Sequence, residues 1–333
     1  MIPDETMDRD RPRSARRRAA MYIGRGILAF AVLLLLLEAG LRWGLGLGRP
    51  LLYVEDPSAG YLPAPGQSLR RFFAHISTNS FGMRSDSIAT SRSPGVPRIM
   101  FVGDSVTFGT TFVDQNDIFT TRIKNWFAAR GQTAEILNAS AGGWAPANEL
   151  GFLRSRGVFA SDLVVLVLNT EDLTQPMAVW KEALQFPTRN PPSALTELWL
   201  HYIEPRLAGM TGVVDPGAKV DGVPTTERVG AQLRNLESAR DLAMQQGARF
   251  EIIFSPSAQP EVQTDEWAHA VLLLHDWAAR EGVKILDLTN AYSLYPAQSV
   301  YFDGLHLRPL GHQLAADAFE SDYSHAHDSG PSN

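Results

Sequence analysis

Three residues that could together activate a hydroxyl lie far apart in the sequence. Ser105 sits in Arg98-Ile-Met-Phe-Val-Gly-Asp-Ser-Val-Thr-Phe-Gly109, while Asp303 and His306 sit in Asp303-Gly-Leu-His306. A serine hydroxyl is a weak nucleophile at neutral pH and needs a base beside it. His306 can supply that base, and an acid three residues earlier on a turn can bond Nδ1 and leave Nε2 facing Ser105. Backbone N–H groups at Ser105 and at Gly142-Gly143 would suit an oxyanion pocket, because glycine lets backbone approach a substrate closely. Losing one such donor costs ~3 kcal/mol in the barrier, so these glycines would matter. Trp144, beside the glycines, and Asp104, beside the serine, are candidate substrate contacts.

Each piece also has a plainer reading. A serine after a strand often caps a helix, Asp303-Gly304 is a turn signal, and a lone histidine is more often structural. Trp144 packs if it does not stack on a sugar. His312, one to two turns into a helix, reads as a packing or solvent-facing residue. The combination of Ser105, Asp303 and His306 favours the nucleophile reading over any of these.

Elements that would carry those residues follow from patterning. The run 98–103 is apolar and β-branched and stops abruptly at Gly103-Asp104-Ser105, as a buried strand does when it delivers a polar group to its carboxyl end, where open α/β sheets bind ligands. Further strands are predicted at 134–138, 162–168, 249–254 and 283–288, and helices at 117–130, 145–156, 227–246, 264–281 and 309–323. Strands alternating with helices predict a parallel sheet covered on both faces. Trp126, Trp267 and Trp277 fall on the apolar faces of those helices and read as core. The polar blocks Asn138-Ala-Ser-Ala-Gly-Gly-Trp144 and Asn169-Thr-Glu-Asp172 end the second and third strands. Residues 173–226 break the rhythm after a strand's carboxyl end and read as an insertion over the site. Trp180 and Trp199, within it, default to packing. Residues 324–333 form a polar tail expected to be disordered; its His325 and His327 do not amount to a metal site, and no metal is expected.

The amino terminus reads as a membrane address. Arg16-Arg17-Arg18 and Arg25 precede an apolar run from Gly26 to Leu37. A helix over residues 26–41 would span about 24 Å at ~1.5 Å per residue, just short of a ~30 Å hydrocarbon core, and flanking apolar residues complete the length. Glu38 and Arg42 fall one turn apart, where they can pair. Glu-Ala-Gly-Leu-Arg-Trp is a poor cleavage site, so an uncleaved signal anchor over 23–45 is preferred to a cleaved signal or a buried core helix. The arginines place residues 1–22 in the cytoplasm and the remainder outside, in a bacterium the periplasm, on a single-pass inner-membrane protein. Residues 46–96, rich in Pro, Gly and Ser, read as an extended stalk and N-terminal extension. Within them His75–Arg84 is less turn-like and reads as a surface turn or an edge strand, with Asn79 and Arg84 as weaker candidates to reach the site.

Composition narrows the function. The 333 residues are 44% hydrophobic and 20% charged, as in an ordinary globular protein. The net charge of −6 hides seven arginines against four acids in residues 1–25, while residues 42–333 carry 23 basic and 31 acidic side chains. A folded part that acidic is a poor nucleic-acid binder. The chain has no cysteine, which removes disulfides, thiolate zinc sites and a cysteine nucleophile. No glycine loop of the Walker or dinucleotide type is present, and no cofactor is expected.

Gly103-Asp104-Ser105-Val106, a glycine after the second strand, the polar block after the third and Asp303-x-x-His306 together resemble the SGNH (GDSL-type) hydrolases over about residues 97–320, within a hydrolase domain expected over 97–323. The resemblance implies a flavodoxin-like three-layer α/β/α sandwich with a parallel sheet, preceded here by one transmembrane helix. It also implies a Ser105–His306–Asp303 triad and oxyanion donors from Ser105 N–H, Gly143 N–H and an asparagine side chain. The third block departs from the family's Gly-x-Asn-Asp: Glu171 occupies the asparagine position, and a carboxylate there would repel an oxyanion unless protonated or turned away. Asn169 substitutes for it, or the pocket has two donors, or activity is weak or aimed at an unusual substrate. The layout is similar to membrane-anchored bacterial members linked to cell-surface polysaccharides. The expected function is therefore a periplasmic serine esterase acting on acyl esters, O-acetyl groups on carbohydrate foremost, by hydrolysis or transfer. A non-catalytic glycan-binding or assembly protein on the same fold, or a lipase or lysophospholipase at its bilayer, are the rivals.

Overall fold

The computed structural model describes residues 11–180, 186–206 and 223–328. A long helix α1 (Arg11–Gly40) runs into a wider π-helical turn, Leu41–Leu45, ended by Gly46 in the left-handed conformation. Two hairpins follow, β1 (Tyr53–Asp56) with β2 (Gly60–Pro63) and β3 (Ser68–Arg71) with β4 (Ala74–Ser77). The α/β unit then comprises β5 (Arg98–Gly103), α2 (Ser105–Phe108), α3 (Phe119–Ala129), β6 (Glu135–Ser140), α4 (Pro146–Arg156) and β7 (Leu163–Asn169). After these come α5 (Ala194–Leu198), α6 (Thr226–Gln245), β8 (Arg249–Ser255), α7 (Asp265–Glu281), β9 (Lys284–Asp287), α8 (Thr289–Ser293), α9 (Ala297–Val300) and α10 (Pro309–Asp328).

The five strands β5–β9 form one sheet in the order β6-β5-β7-β8-β9, all parallel. Every residue of β5 and β7 is buried, which is why their sequences are apolar on both faces rather than alternating. One face is covered by α4, α6 and α7, through Leu150, Leu236, Ala239, Leu274 and Trp277. The other is covered by α3, α8 and α10, through Phe119, Ile123, Phe127, Tyr292, Ala316 and Phe319. The result is a flavodoxin-like three-layer sandwich. In this strand order the chain reverses direction across the sheet between β5 and β7, the switch point where a crevice opens at the strands' carboxyl ends.

Over Arg17–Leu45 the first helix is long and apolar enough to cross a membrane; an 18-residue window within it has a mean hydropathy of 2.2, and none of that window is buried. Arg42 reaches back to Glu38 at 2.8 Å, the pairing their spacing predicts.

Two expectations about connecting segments need correction. Residues 46–96 are not an extended stalk: Leu51, Tyr53, Ala59, Tyr61, Leu62, Ala74, Ile76 and Met83 are buried in the same core as α4 and α6. Apolar residues at alternating positions outweigh the Pro and Gly between them, and burying them makes this region part of the domain. Asn148, in the first turn of α4, stitches it down by donating to Ala59 O at 2.8 Å and Ala178 O at 2.7 Å while accepting from Ala145 N–H. The polar tail is not disordered at its start, since α10 continues through Asp328; helix already anchored by Phe319 and Tyr323 propagates over Ser-His-Ala-His without needing apolar side chains. Residues 329–333 lie outside the described part.

Candidate active site

Ser105 is the first residue of α2, directly beyond β5. Asp104 caps that helix: its Oδ1 accepts from Val106 N–H at 2.7 Å. At this helix start the Ser105 N–H has no intrahelical partner, so a capping turn and an available hydroxyl coexist. The capping role suspected for Ser105 belongs to its neighbour.

His306 arrives from the loop between α9 and α10. Its Nε2 lies 2.9 Å from Ser105 Oγ and its Nδ1 2.6 Å from Asp303 Oδ2. The other carboxylate oxygen of Asp303 accepts from the N–H groups of Leu305 at 3.1 Å and His306 at 2.8 Å, so one side chain fixes both the loop backbone and the ring. The turn needs Gly304, whose φ is +89° and whose missing Cβ would stand 2.9 Å from Gln259. The loop is braced further by Phe302 N–H to His306 O and by Ala258 N–H to Gly304 O. The structure thus brings Ser105, His306 and Asp303 into one hydrogen-bonded line from 201 residues apart.

The charges follow from these contacts. Burial opposes a charge on His306, but the Asp303 bond and charge oppose burial and leave the imidazole pKa above its ordinary value. Burial raises and the His306 bonds lower the Asp303 carboxyl, with a net shift well below the usual carboxylate range.

Opposite the serine lies the Ala141-Gly142-Gly143-Trp144 turn. A Cβ built on Gly142 would sit 3.9 Å from Ser105 Cβ, so this turn borders the nucleophile. Both glycine carbonyls are tied back: Tyr61 Oη donates to Gly142 O at 2.7 Å and Gln175 Nε2 to Gly143 O at 2.9 Å. Gly143 has a φ of +74°, a conformation that disfavours any side chain, and is exposed. Tyr53, Tyr61 and Phe186 wall this side, with ring centroids 4.7 to 5.9 Å apart. Patterning missed all three, because two belong to the segment read as a stalk and the third to the insertion. Their aromatic character was the one available signal.

Trp144 is not a substrate contact. It is 1% exposed, and its indole N–H donates to Tyr61 O at 2.9 Å, so it supports the glycine turn from beneath. Asp104 is likewise buried, with Oδ2 held by Asn169 Nδ2 at 2.9 Å and near Ser105 Oγ at 3.4 Å; it positions the serine rather than touching substrate. Asn169 is 2% exposed and held at both ends of its amide. Besides Asp104, its Oδ1 accepts from the N–H groups of Glu171 at 2.7 Å and Asp172 at 3.2 Å. This bracket orders the end of β7 and directs one of the two amide N–H groups of Asn169 to Asp104. Arg84 does not reach the serine either. It is wholly buried and donates to the carbonyls of Phe108, Thr110 and Val113, fixing the loop after α2. Asn79 shapes the turn before it, accepting from Phe81 and Met83 N–H. His312 is buried against Phe119, and burial pushes its pKa down to about 3, so it is neutral.

Glu171 is 4% exposed, with the Ser257 hydroxyl beside its carboxyl. Burial pushes its pKa up, which favours the uncharged acid. It joins Asp104, Glu149 and Asp172, whose pKa values are also raised by burial and, for Glu149 and Asp172, by the neighbouring Asp104 carboxylate. Four acids under one nucleophile cannot all be ionised in so dry a setting. Burial therefore works against a charged carboxylate at the position where Glu171 was expected to repel an oxyanion.

The GDSL-like lipase/acylhydrolase family model matches residues 101–314, and the chain belongs to that family of ester-cleaving hydrolases. Among solved structures it is similar to TesA (15% identity, covering 67% of this chain and 96% of that one, TM-score 0.45). It is also similar to the lipase/acylhydrolase from Enterococcus faecalis (16%, 69% and 97%, TM-score 0.45). A third is the acetyl xylan esterase AlAXEase (14%, 68% and 98%, TM-score 0.44). No curated protein matches the sequence.

Proposed function

We propose that the chain is a membrane-anchored serine esterase that removes or transfers short acyl groups, O-acetyl foremost, carried by cell-surface carbohydrate. The observation that carries the mechanism is the line Asp303–His306–Ser105, with bonds of 2.6 and 2.9 Å. Ser105 Oγ attacks the ester carbonyl while His306 Nε2 takes its proton, and Asp303 holds the imidazole in the tautomer that leaves Nε2 free. The tetrahedral oxyanion is met by the N–H groups of Ser105 and Gly143. Collapse expels the alcohol, which receives the proton from His306, and leaves an acyl group on Ser105. Water, or a sugar hydroxyl, then attacks that acyl-enzyme with His306 again as base. Burial works against a charge on Glu171, and so against repulsion of the oxyanion.

A short acyl group is favoured by Tyr53, Tyr61 and Phe186, which crowd the glycine turn; Phe186 would stand 3.5 Å from a Cβ at Gly143. The apolar helix Arg17–Leu45 supports anchoring, and the arginines before it support an external, periplasmic catalytic domain. The carbohydrate assignment rests on the family resemblance. Ser105→Ala tests the mechanism: p-nitrophenyl acetate hydrolysis should disappear, and unchanged turnover would refute it.

A further inference from the structure

The β3–β4 hairpin turns on two phenylalanines. Phe72 and Phe73 have φ of +47° and +71°, the pattern of a type I′ turn, where Asn-Gly or Asp-Gly is strongly preferred. Two aromatic residues in that conformation are strained, and strain of this kind persists where the side chains are needed. Packing accounts for Phe72 but not for Phe73, whose side chain is 71% exposed.

The position of this tip is fixed relative to the first helix. Phe72 N–H donates to Leu45 O at 2.9 Å, at the last residue of the apolar span. Glu38 accepts from the N–H groups of Ala194 and Leu195 at 2.9 and 3.0 Å, capping α5 from the long helix. Arg71 and Glu197 form a buried ion pair at 2.5 Å, and Glu197 also accepts from Gly48 N–H. The foot of α1, the hairpin tip and α5 are therefore clamped together, and the domain does not hang from a loose tether.

From this foot an aromatic ridge leads to the catalytic loop. Phe72 packs on Phe112 with centroids 4.8 Å apart, and Phe112 on Phe302 at 6.2 Å. Phe302 precedes Asp303 and donates its N–H to His306 O at 2.8 Å. Phe112 is half exposed, and Trp43 and Trp199 beside the foot are 81% and 52% exposed. Arg49 and Arg70 are exposed in the same region. Aromatic residues interleaved with arginines at the end of an apolar helix have the composition of a membrane interface.

We propose that the Phe72-Phe73 tip, with Trp43, Phe112, Trp199 and Phe302, is a bilayer-contacting surface that lays the domain on the membrane and sets the mouth of the Ser105–His306 site at headgroup depth. This rests on anchoring by α1 and adds what anchoring alone does not require: a fixed tilt, with the site facing the lipid rather than the solvent. The surface is continuous with the lipid-facing helix, which favours the bilayer over a protein partner as its occupant. A carbohydrate ester held at the membrane surface is then within reach, and one on a polymer remote from it is not.

The absence of cysteine makes site-specific labelling direct. The full chain bearing Phe73→Cys, labelled with an environment-sensitive fluorophore, is reconstituted into phosphatidylcholine/phosphatidylglycerol vesicles containing lipid with a nitroxide near the headgroup end of the acyl chain. Met244→Cys, 61% exposed at the end of α6 where the strands begin, is the control. Interfacial apolar faces sink ~5–10 Å, so the label at position 73 should be quenched about twofold or more and the control left unquenched. Adding Phe112→Ser should weaken quenching at position 73. A label at 73 as unquenched as the control would overturn the proposal, as would quenching indifferent to Phe112→Ser. Repeating the measurement with Ser105→Ala separates the two claims, because docking does not need the nucleophile.

Discussion

Replacing Asp303 by Asn tests the geometry of the histidine without removing any atom count from the loop. The Asn side-chain oxygen can still accept from Leu305 and His306 N–H, the contacts now made at 3.1 and 2.8 Å. The carboxylate oxygen 2.6 Å from Nδ1 becomes an NH2, which can only donate. Nδ1 must then be the acceptor, the ring proton moves to Nε2, and Nε2 faces Ser105 as a donor with no lone pair to take the hydroxyl proton. A tautomer switch of this kind costs up to ~10⁴-fold in kcat. The Asp303 side chain is 51% exposed, so water can relieve part of the constraint, and a loss of about 10³-fold, or ~4 kcal/mol in the barrier, is expected. The same exposure limits the effect on stability to under ~1 kcal/mol. Steady-state hydrolysis of p-nitrophenyl acetate at pH 7.5, with a thermal melt as control for folding, measures both. A variant within tenfold of the parent and equally stable would refute the reasoning, because the bond to Nδ1 would then not be holding the base.

Further outcomes follow from the same contacts. The raised pKa of His306 means that the neutral base is gained only as pH climbs past the ~6.5 of free imidazole, so the acid limb of kcat/KM should lie above that value; a pH–rate profile with its limb at or below it contradicts the assignment. Tyr61→Phe removes the 2.7 Å bond that ties Gly142 O, and kcat should fall several-fold, about 1 kcal/mol, with little change in KM. Glu149 has both oxygens buried without partners and a pKa raised by burial, so the folded state holds its proton longer than the unfolded state and stability declines as pH rises above ~4.3. Glu149→Gln should therefore raise the melting temperature at pH 8 relative to the parent and lose that advantage at pH 4, gaining about 1.4 kcal/mol for each unit by which the pKa is raised; equal melting temperatures at both pH values would contradict it.

Much of this molecule is legible in its sequence, for identifiable reasons. The central strands β5 and β7 are buried on both faces, so they read as unbroken apolar runs bounded by polar blocks, and the alternation of strands with helices predicted a parallel sheet. The Asp303–His306 contact is local, three residues on a turn, and needs no knowledge of the fold. What patterning could not supply is direction. Trp144 is next to the glycines in sequence but points beneath them, toward the Tyr61 carbonyl. Asn169 had the right chemistry for an oxyanion donor, and a competing acceptor, Asp104, 65 positions away, takes one of its two amide N–H groups. The 46–96 segment misled because its Pro, Gly and Ser residues interrupt every apolar run, while the residues that decide its fate, Tyr53, Tyr61 and Ile76 among them, are spread across short strands. The Phe72-Phe73 turn carries no Asn-Gly signal at all.

The account turns on whether Ser105 is a nucleophile activated by His306. A fluorophosphonate probe reacts with a serine only when its hydroxyl is activated, and mass spectrometry of the labelled chain locates the adduct. The account predicts one adduct on Ser105 that is lost in His306→Ala, a variant expected to keep its fold because His306 is only partly buried in an outer loop. An unlabelled Ser105, or labelling that survives the loss of His306, would contradict it.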